Sequence, residues 1–200
     1  MKLQKTTFKP GTRVRLKDFD TRETSGLTKE ESYPIAEGDT HLIGDLAYKL
    51  YAENSRALLI VLQGMDTAGK DGAIRHIMRC VNAQATEVIP FKKPSSEELD
   101  HDFLWRVHKK IPATGNIGIF NRSHYEDVLV VRVHDLVPRG EWQSRYQRIN
   151  EFEKLLTGSG VTILKFFLHI SKEEQRERLQ ARLDNPNKCR KFSKADLQKR

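Results

Sequence analysis

The sequence predicts an α/β fold, a three-layer sandwich in which a central parallel sheet carries helices on both faces. Short apolar runs typical of buried strands alternate along the chain with segments of helical periodicity. A glycine-rich segment directly follows the first of these runs, as expected of a strand–loop–helix unit. A chain of 200 residues is long enough for one domain with a buried core, and no apolar run approaches the ~20 residues of a membrane helix.

The first part of the chain contains a predicted lead-in, one helix and one strand. Residues 1–39 are punctuated by proline and glycine and sustain no period, so we expect a basic, extended N-terminal extension. Helical periodicity begins at Thr40, a candidate N-cap, and continues to Tyr51. The apolar run Ala57–Leu62 is a predicted buried strand. The helix after the glycine-rich loop has four apolar residues on one side: Ile74, Ile77, Met78 and Val81.

The same alternation continues through the rest of the chain. Three further strands are predicted at Glu87–Phe91, Asn116–Asn121 and Val161–Ile170. Four further helices are predicted: one capped by Ser95 and reaching Val107, Arg122–His134, Glu141–Leu156, and one capped by Ser171 and ending near Asp184. Only four strands are recognisable and the chain ends in a polar segment, so we expect the closing strand to be missing.

The net charge of +8 is concentrated at the two ends of the sequence. Residues 1–22 carry seven lysines and arginines against two acids, and residues 171–200 carry ten against five, so each end has a net charge of +5. The residues between them therefore carry about −2. This pattern favours a polyanionic ligand such as nucleic acid, a lipid surface or a phosphate polymer, although solvated surface charge is an alternative.

The two cysteines, Cys80 and Cys189, match neither a metal-binding spacing nor a disulfide framework. The first eleven residues contain three lysines but no apolar segment, which argues against a secretory signal. We therefore expect a cytoplasmic protein, since a reducing compartment is the simplest one for this chain.

The segment Gly64–Gly72, GMDTAGKDG, matches the phosphate-loop pattern G-x-x-x-x-G-K. Its glycines let successive backbone N–H groups point at phosphate oxygens, and the following helix directs its positive end at the same anion. Lys70 adds a charge that can reach the phosphates being transferred. The pattern indicates a P-loop phosphoryl-transfer enzyme, with a structural glycine turn as the alternative. The other predicted phosphate- or nucleotide-binding residues of the loop are Gly64, Met65, Thr67, Ala68, Gly69, Asp71 and Gly72.

Two acidic residues depart from the common form of this loop. Asp71 stands where a serine or threonine hydroxyl usually binds Mg²⁺, so the metal must be ligated differently. Asp66 puts a carboxylate beside substrate phosphates, which is unfavourable unless a cation such as Mg²⁺ lies between them. Alternatively, Asp66 stabilises the loop by accepting hydrogen bonds from backbone N–H groups.

The strand predicted at Asn116–Asn121 runs into a polar cluster that continues to Asp127. Ligands of open α/β sheets bind beyond the carboxyl ends of the strands. At that position Arg122 can neutralise charge on the moving phosphoryl group, and Asp127 can hold Mg²⁺ directly or through water. The alternative for Glu126 and Asp127 is the ordinary enrichment of acids in a first helical turn. We expect a packed or surface role for His124 and Tyr125.

Two arginines of the last predicted helix, Arg178 and Arg182, share one face. In P-loop kinases a mobile lid carries arginines over the phosphates. We therefore interpret residues 172–200 as a lid and residues 40–200 as a P-loop kinase domain. A charged, solvated helix is the alternative, since three glutamates of the same helix can pair with these arginines.

Several segments together resemble the polyphosphate kinase 2 family, and the likeness covers nearly the whole chain. They are Gly64–Gly72, Phe91–Ser95, Glu98–Arg106 and Phe120–Asp127. The resemblance implies a thymidylate-kinase-like P-loop fold. It also implies reversible transfer of a terminal phosphoryl group between inorganic polyphosphate and a nucleotide, with Mg²⁺, or Mn²⁺ as an alternative. The subgroup indicated phosphorylates both AMP and ADP.

The resemblance also implies roles for individual residues. It makes Asp66 and Asp127 metal-linked carboxylates and makes Lys70 and Arg122 phosphate contacts. Lys92 becomes a further phosphate or nucleotide contact, and Arg178 and Arg182 match the lid arginines. We therefore expect a catalytic set of Asp66, Lys70, Arg122, Asp127 and Arg178.

The chain departs from many members of the family at Asn121, where they have aspartate, and in the pair Glu126-Asp127, which they lack. The resemblance then implies that the metal carboxylate has moved from the strand end into the helix. It further implies adenine nucleotides as substrates, with guanine nucleotides as an open alternative. A homodimer or homotetramer is expected, without a nucleic-acid or membrane partner.

Other classes of function remain open at this stage. An ATP-dependent P-loop kinase for a nucleotide or small metabolite would share the loop and the lid. A non-enzymatic polyanion- or RNA-binding module would need aromatic stacking platforms, whereas most aromatic residues here stand at core spacings. A third alternative is that the chain is inactive without its closing strand.

Overall fold

The structure, a computed structural model, describes residues 6–184 of the chain. The described strands are β1 (Ala57–Gly64), β2 (Thr86–Pro90), β3 (Ile117–Asn121) and β4 (Val161–Leu168). The described α-helices are α1 (Lys29–Glu53), α2 (Lys70–Ile77), α3 (Ser96–Leu99), α4 (Trp105–His108), α5 (Glu126–Val133), α6 (Arg139–Gly158) and α7 (Lys172–Leu183).

The chain divides into two compact units. The larger unit comprises Thr40–Gly64 and Gly69–Leu168, and it contains the sheet. The smaller unit comprises Met1–Asp39, Met65–Ala68 and His169–Arg200, within which residues 1–5 and 185–200 lie outside the described part. Cys189 and the end of the predicted lid, residues 185–200, therefore lie outside the described residues.

The four described strands form one parallel sheet in the order β2-β3-β1-β4. The central strand β1 pairs with β3 from Leu58 opposite Ile117 and with β4 from Ala57 opposite Val161. Each strand is joined to the next by a segment that contains helix, as parallel pairing requires. The predicted parallel α/β sheet is therefore confirmed.

Side chains alternate between the two faces of β1, and each face packs against different helices. Ala57, Leu59 and Val61 share one apolar cluster with Val107 of α4 and with Phe152 and Leu156 of α6. Leu58, Ile60 and Leu62 belong to a second cluster with Ala47 and Leu50 of α1, with Ile74 of α2, and with Met78 and Val81 just after α2. Both faces of the sheet are thus covered, as the unbroken apolar run of β1 predicted.

The predicted start of the first helix at Thr40 is wrong, because α1 begins at Lys29. Thr28 and Glu31 form a reciprocal cap in which Thr28 Oγ1 accepts a hydrogen bond from the Glu31 N–H at 3.2 Å. Glu31 Oε2 in turn accepts one from the Thr28 N–H at 2.9 Å. Thr40 is buried in the middle of the helix. Pro34 lies inside the helix, where its missing N–H removes a main-chain hydrogen bond.

The single helix predicted after Ser95 is instead two short helices, α3 and α4. The predicted capping box of Ser95 and Glu98 is confirmed. The helix stops because the Asp102 carboxylate accepts a hydrogen bond from the Leu104 N–H at 2.9 Å, which competes with helical pairing.

Three predicted boundaries also differ from the structure. The helix predicted from Arg122 begins at Glu126, since Arg122 has a φ of +66°, outside the right-handed helical region. Helix α6 extends two residues beyond the predicted Glu141–Leu156 at each end. Strand β4 ends at Leu168 rather than Ile170. None of the helices described within residues 6–184 combines the length and apolarity needed to cross a bilayer.

Candidate active site

Strands β1 and β3 bring two polar segments to the same edge of the sheet. The strands pair with Leu62 opposite Asn121, and the Arg122 N–H donates to Leu62 O at 3.1 Å. The chain leaves β1 at Gly64 and leaves β3 at Asn121, so the phosphate loop and the polar turn begin beside each other. A carboxyl edge beside the central strand is where open α/β sheets bind ligands.

The larger unit contains Gly64 and the C-terminal half of the phosphate loop, Gly69–Gly72. Gly69 has a φ of +101°, a conformation that costs glycine little, and helix α2 begins at the next residue. The Lys70 Nζ donates a 2.7 Å hydrogen bond to Gly64 O, and the lysine is 9% exposed. The predicted loop thus joins an apolar strand to a helix N-terminus, with the lysine charge held against the loop backbone.

Asp71 and Asn121 are joined directly by their side chains. The Asn121 Nδ2 donates to Asp71 Oδ1 at 2.6 Å, so the residue that replaces the usual loop hydroxyl contacts the end of β3. An aspartate at position 121 would face this carboxylate with like charge. The two departures from the usual pattern are therefore structurally linked.

Asp127 lies in the first turn of α5 and is buried. Its Oδ2 accepts a 3.2 Å hydrogen bond from the Arg106 Nη2, and its main-chain oxygen accepts one from the Arg145 Nη1 at 2.9 Å. Burial raises the pKa of the Asp127 carboxyl above its ordinary value, and the charge and hydrogen bond of Arg106 oppose this. The Asp127 carboxylate is therefore paired with a buried arginine, a contact that the enrichment of acids in first helical turns does not explain.

Arg122 is exposed and occupies a left-handed backbone conformation. A non-glycine residue in this region is uncommon and costs on the order of 1 kcal/mol. The adjacent Ser123 is fully buried, and its Oγ lies 2.8 Å from the side-chain amide of Gln63 in β1. The turn thus presents Arg122 outward while its neighbour is anchored inward.

A polar cluster behind this turn centres on Glu153 of α6. Its carboxylate accepts hydrogen bonds from the Tyr125 hydroxyl at 2.7 Å and the Lys165 Nζ at 2.6 Å, and the His124 Nε2 lies 3.2 Å away. Burial opposes ionisation of Glu153, but hydrogen bonds from His124, Lys165 and Tyr125 outweigh it and lower the pKa to about 2. Burial raises the pKa of Tyr125 to about 12. His124 was expected to have a packed or surface role, and the structure shows it fully buried.

The smaller unit contains Met65–Ala68 of the loop together with helix α7. Ser171 caps α7 by accepting a hydrogen bond from the Glu174 N–H at 3.0 Å, as predicted. The Gln175 Nε2 donates to Asp66 O at 3.2 Å, and the Arg178 Nη1 donates to Thr67 O at 3.0 Å.

The two predicted lid arginines have different surroundings. Arg178 forms an ion pair with Glu174 of the same helix at 2.6 Å while it also donates to Thr67 O of the loop. Arg182 lies one turn further along α7 and is partly exposed.

A basic groove of about 350 Å³ runs along strand β2 in the larger unit. Its cationic lining consists of Lys92, Lys93, Arg106, Lys109 and Lys110. Glu87 and Glu98 also line it, and Glu87 pairs with Lys110 at 2.9 Å, so the excess charge remains positive. The predicted phosphate contact Lys92 is exposed at this groove.

The site's oxygen donors can be compared with the requirements of a metal ion. Within residues 6–184, no group of three or more histidine, cysteine, aspartate or glutamate side chains is arranged to hold a metal by itself. Mg²⁺ commonly uses only one or two carboxylates and completes its shell with water and substrate phosphates. Asp71 and Asp127 each offer a carboxylate of this kind, and one such carboxylate is enough for a magnesium shared with a phosphate substrate.

Several residues that contact the predicted site were not foreseen from the sequence. Arg106, Glu153 and Gln175 lie on helices and reach the site segments over 14 to 109 residues of sequence. A charged or amide residue on a helix carries no sign of such a distant partner. The earlier start of α1, in contrast, had a visible signal in the capping spacing of Thr28 and Glu31.

The parallel sheet, the loop at the end of its central strand and the adjacent polar turn define a P-loop kinase fold. The chain belongs to the polyphosphate kinase 2 family, which matches residues 29–200. That match begins at the first residue of α1. Phosphotransferases of this family are of the kind that uses a divalent metal ion.

Individual relatives support the same assignment. The chain is 49% identical over 200 residues to an AMP/ADP-polyphosphate phosphotransferase of Meiothermus ruber, covering 99% of this chain and 75% of the relative. It is 47% identical over 185 residues to an ADP-polyphosphate phosphotransferase of Rhodopseudomonas palustris, covering 86% and 64%. The crystal structure of polyphosphate kinase 2 from Arthrobacter aurescens superposes with a TM-score of 0.89 at 43% identity, covering 94% and 69%.

Proposed function

We propose that this protein catalyses reversible transfer of a terminal phosphoryl group from inorganic polyphosphate to AMP and to ADP, giving ADP and ATP. The observation that carries the proposal is the 49% identity, over 99% of the chain, to a relative named for AMP, ADP and polyphosphate. The site supports the chemistry, because it combines a phosphate loop with an exposed arginine at the carboxyl edge of the sheet.

Phosphoryl transfer requires positioning and charge stabilisation more than covalent chemistry. The backbone N–H groups at the start of α2 bind phosphate oxygens, and Lys70 adds a positive charge beside them. Arg122 stabilises negative charge on the phosphoryl group as it moves. The acceptor is the terminal phosphate of the nucleotide, which is already ionised, so no strong general base is needed.

The proposed cofactor is Mg²⁺, with Mn²⁺ as an alternative. When bound, the ion would neutralise phosphate charge and help to align donor and acceptor. We assign Asp127 as a carboxylate that holds it, since this acid is buried at the edge of the site. The parallel assignment of Asp66 rests on the family resemblance, and the amide of Gln175 contacts its main-chain oxygen.

In the smaller unit, the proposed lid arginines are Arg178 and Arg182. Arg178 donates to Thr67 O, so it already contacts the backbone of a predicted phosphate-binding residue. Residues 172–200 are the proposed lid of a kinase domain spanning residues 40–200, preceded by a basic extension over residues 1–39. The arginines of the lid would exclude water and balance phosphate charge.

The basic groove along β2 favours polyphosphate over ATP as the donor. A phosphate polymer carries a negative charge on every unit and needs an extended positive surface, whereas ATP presents three phosphates. The groove supplies four lysines beyond the loop itself. An ATP-dependent nucleotide kinase is the second candidate, supported by the P-loop and the arginines of α7.

A phosphate-donor assay tests the proposal. The full chain is incubated with Mg²⁺ and either AMP or ADP, with polyphosphate or ATP as separate donors, and nucleotides are separated by chromatography. We expect polyphosphate to convert AMP to ADP and ADP to ATP without added ATP. Transfer from ATP alone would contradict the proposal and support the second candidate. A reaction with polyphosphate and no added nucleotide is the control for contaminating nucleotide.

The proposed assembly is a homodimer or homotetramer located in the cytoplasm, with adenine or guanine nucleotides and polyphosphate as ligands. In the part of α1 that belongs to the larger unit, four large apolar residues are more than half exposed, which supports self-association: Leu42, Leu46, Tyr48 and Tyr51. Light scattering coupled to size-exclusion chromatography measures the mass, and a monomer across the micromolar range would contradict this part of the proposal.

A further inference from the structure

We infer that Arg106 is a positioning residue that sets the relation between the Lys92 segment and Asp127 for phosphoryl transfer. This inference deepens the proposed function and rests on it. Arg106 need not touch the substrate, because its side chain is only 7% exposed and both of its strong contacts are made to protein groups.

The two ends of the guanidinium contact two different segments of the site. The Nη1 donates to Lys92 O at 2.9 Å, in the segment that follows β2. The Nη2 donates to Asp127 Oδ2 at 3.2 Å, in the first turn of α5. A planar, rigid group that bonds through separate nitrogens fixes the direction as well as the distance of its partners.

Two further contacts hold Arg106 itself in place. Its Nη1 lies 3.7 Å from Glu98 Oε2, and the guanidinium lies 5.4 Å from the centre of the Phe91 ring. Glu98 also accepts the Ser95 N–H in the capping box of α3, so the start of that helix belongs to the same network. Arg106 therefore connects the end of β2, helix α3 and helix α5 through one buried side chain.

The energetics favour a positioning role over a stabilising one. Desolvating a guanidinium costs several kcal/mol, and a buried ion pair often adds little net stability compared with apolar packing. What such a pair provides here is geometry, since it fixes a carboxylate assigned to the metal relative to a segment assigned to phosphate binding. Displacement of reacting groups by about 1 Å can cost roughly 100-fold in rate.

Lysine at position 106 would keep the charge but lose this geometry. A lysine ammonium is a compact group on a flexible stem, so it cannot reproduce the fork that reaches Lys92 O and Asp127 from separate nitrogens. Arg106→Lys thus separates the charge of the residue from its shape. It also serves as the test variant if Arg106→Met folds poorly.

A double-mutant cycle tests whether Arg106 acts through Asp127. Arg106→Met, Asp127→Asn and the double variant are compared in the full chain, with polyphosphate and ADP under saturating Mg²⁺. We expect each single change to lower kcat/KM at least tenfold and the double variant to lie within threefold of the weaker single variant. We expect the thermal midpoint of Arg106→Lys to lie within about 3 °C of the wild-type value, while its kcat/KM stays at least tenfold below that of the wild type.

The matched control is Arg132→Met, in the same helix as Asp127. Arg132 stacks over Trp142 at 5.1 Å, and we expect kcat/KM of this variant to remain within twofold of the wild type. The inference would be overturned if the losses in kcat/KM of the two single variants multiplied in the double variant. Full activity of Arg106→Lys would also overturn it, as would an Arg106→Met variant with a lowered thermal midpoint and an unchanged kcat/KM. A wild-type chain active only with ATP would contradict the proposed function instead, and the cycle is then measured with that donor.

Discussion

The side-chain amide of Asn121 donates a 2.6 Å hydrogen bond to the carboxylate of Asp71, across 50 residues of sequence. Asn121 ends β3 and Asp71 lies in the first turn of α2, so the bond joins the two segments that frame the candidate phosphate site. Because an amide can donate where a carboxylate cannot, the identity of residue 121 decides whether this contact attracts or repels.

Asn121→Asp should weaken the fold when no metal is present and should respond to added Mg²⁺. The change replaces a hydrogen bond to a charged group by like-charge repulsion, a loss of about 2 kcal/mol or roughly 5 °C in thermal midpoint. We expect Mg²⁺ to restore most of this loss, since two facing carboxylates favour a divalent cation. Thermal unfolding with EDTA and with Mg²⁺ measures both effects. Asn150→Asp, at an exposed position of α6, is the control, and an equal loss there would contradict the explanation.

Lys70→Met should abolish most phosphoryl transfer while leaving the sheet intact. The ammonium group supplies charge at the phosphate loop, and removing one preorganised charge of this kind costs about 100-fold or more in kcat. The polyphosphate assay and thermal unfolding are run in parallel, with Lys154→Met, at an exposed position of α6, as the control. Transfer within threefold of the wild type would exclude the role assigned to Lys70.

Asp127→Asn should lower kcat much more than it weakens nucleotide binding. We expect a loss on the order of 100-fold in kcat, because a carboxylate assigned to the metal is removed. Steady-state kinetics and calorimetric titration with ADP separate the two quantities. Equal losses in kcat and in affinity would make Asp127 a structural residue.

Arg178→Ala should lower kcat by about 10- to 100-fold, whereas Arg176→Ala should leave it within twofold. Arg178 contacts Thr67 O and is assigned to the phosphates, while Arg176 is an exposed arginine of the same helix. Because both variants replace an arginine of α7 by alanine, they change the net charge and the helix propensity by the same amount. Similar rates for both variants would support the charged, solvated helix as the correct interpretation of α7.

Glu153→Gln should cost more stability at pH 7 than at pH 3. The folded-state pKa of Glu153, about 2, lies below its ordinary value of 4.5, so ionisation stabilises the fold above pH 4.5. That contribution, about 3 kcal/mol at pH 7, is lost as the pH falls from 4.5 towards 2 and is about 1 kcal/mol at pH 3. Urea unfolding of both proteins at the two pH values measures the difference. For Glu151→Gln, an exposed change on the same helix, the loss of stability should be the same at pH 7 and at pH 3.

Local patterns predicted the sheet and its covering helices because their signals lie within one element. The apolar run of β1 and the capping pairs at Ser95 and Ser171 each involve residues a few positions apart. The phosphate loop was equally visible, since a strand–glycine–helix sequence is contiguous. The wrong start of α1 came from giving Pro34 and Gly38 more weight than the cap formed by Thr28 and Glu31.

The supporting contacts of the site could not be predicted in the same way. Arg106 reaches Asp127 and Gln175 reaches Asp66 across spans that only the folded chain closes. The left-handed conformation of Arg122 is also hidden, because arginine has no marked preference for that region. Residue type therefore predicts the chemistry of a site more readily than it predicts the side chains that align it.

The sheet order also determines when the chain can fold. The central strand β1 pairs with β3 and β4, and its pairing with β4 starts at Val161, about a hundred residues after Ala57. At a synthesis rate of roughly 5–20 residues per second, an apolar β1 leaves the ribosome about 5–20 s before its last partner strand exists. For most of that interval the face of β1 that packs against α6 is uncovered, and throughout it the edge that pairs with β4 lacks its partner. Such exposure is the condition in which nascent chains aggregate or recruit chaperones. Recombinant production should therefore give more soluble protein when chaperones are abundant.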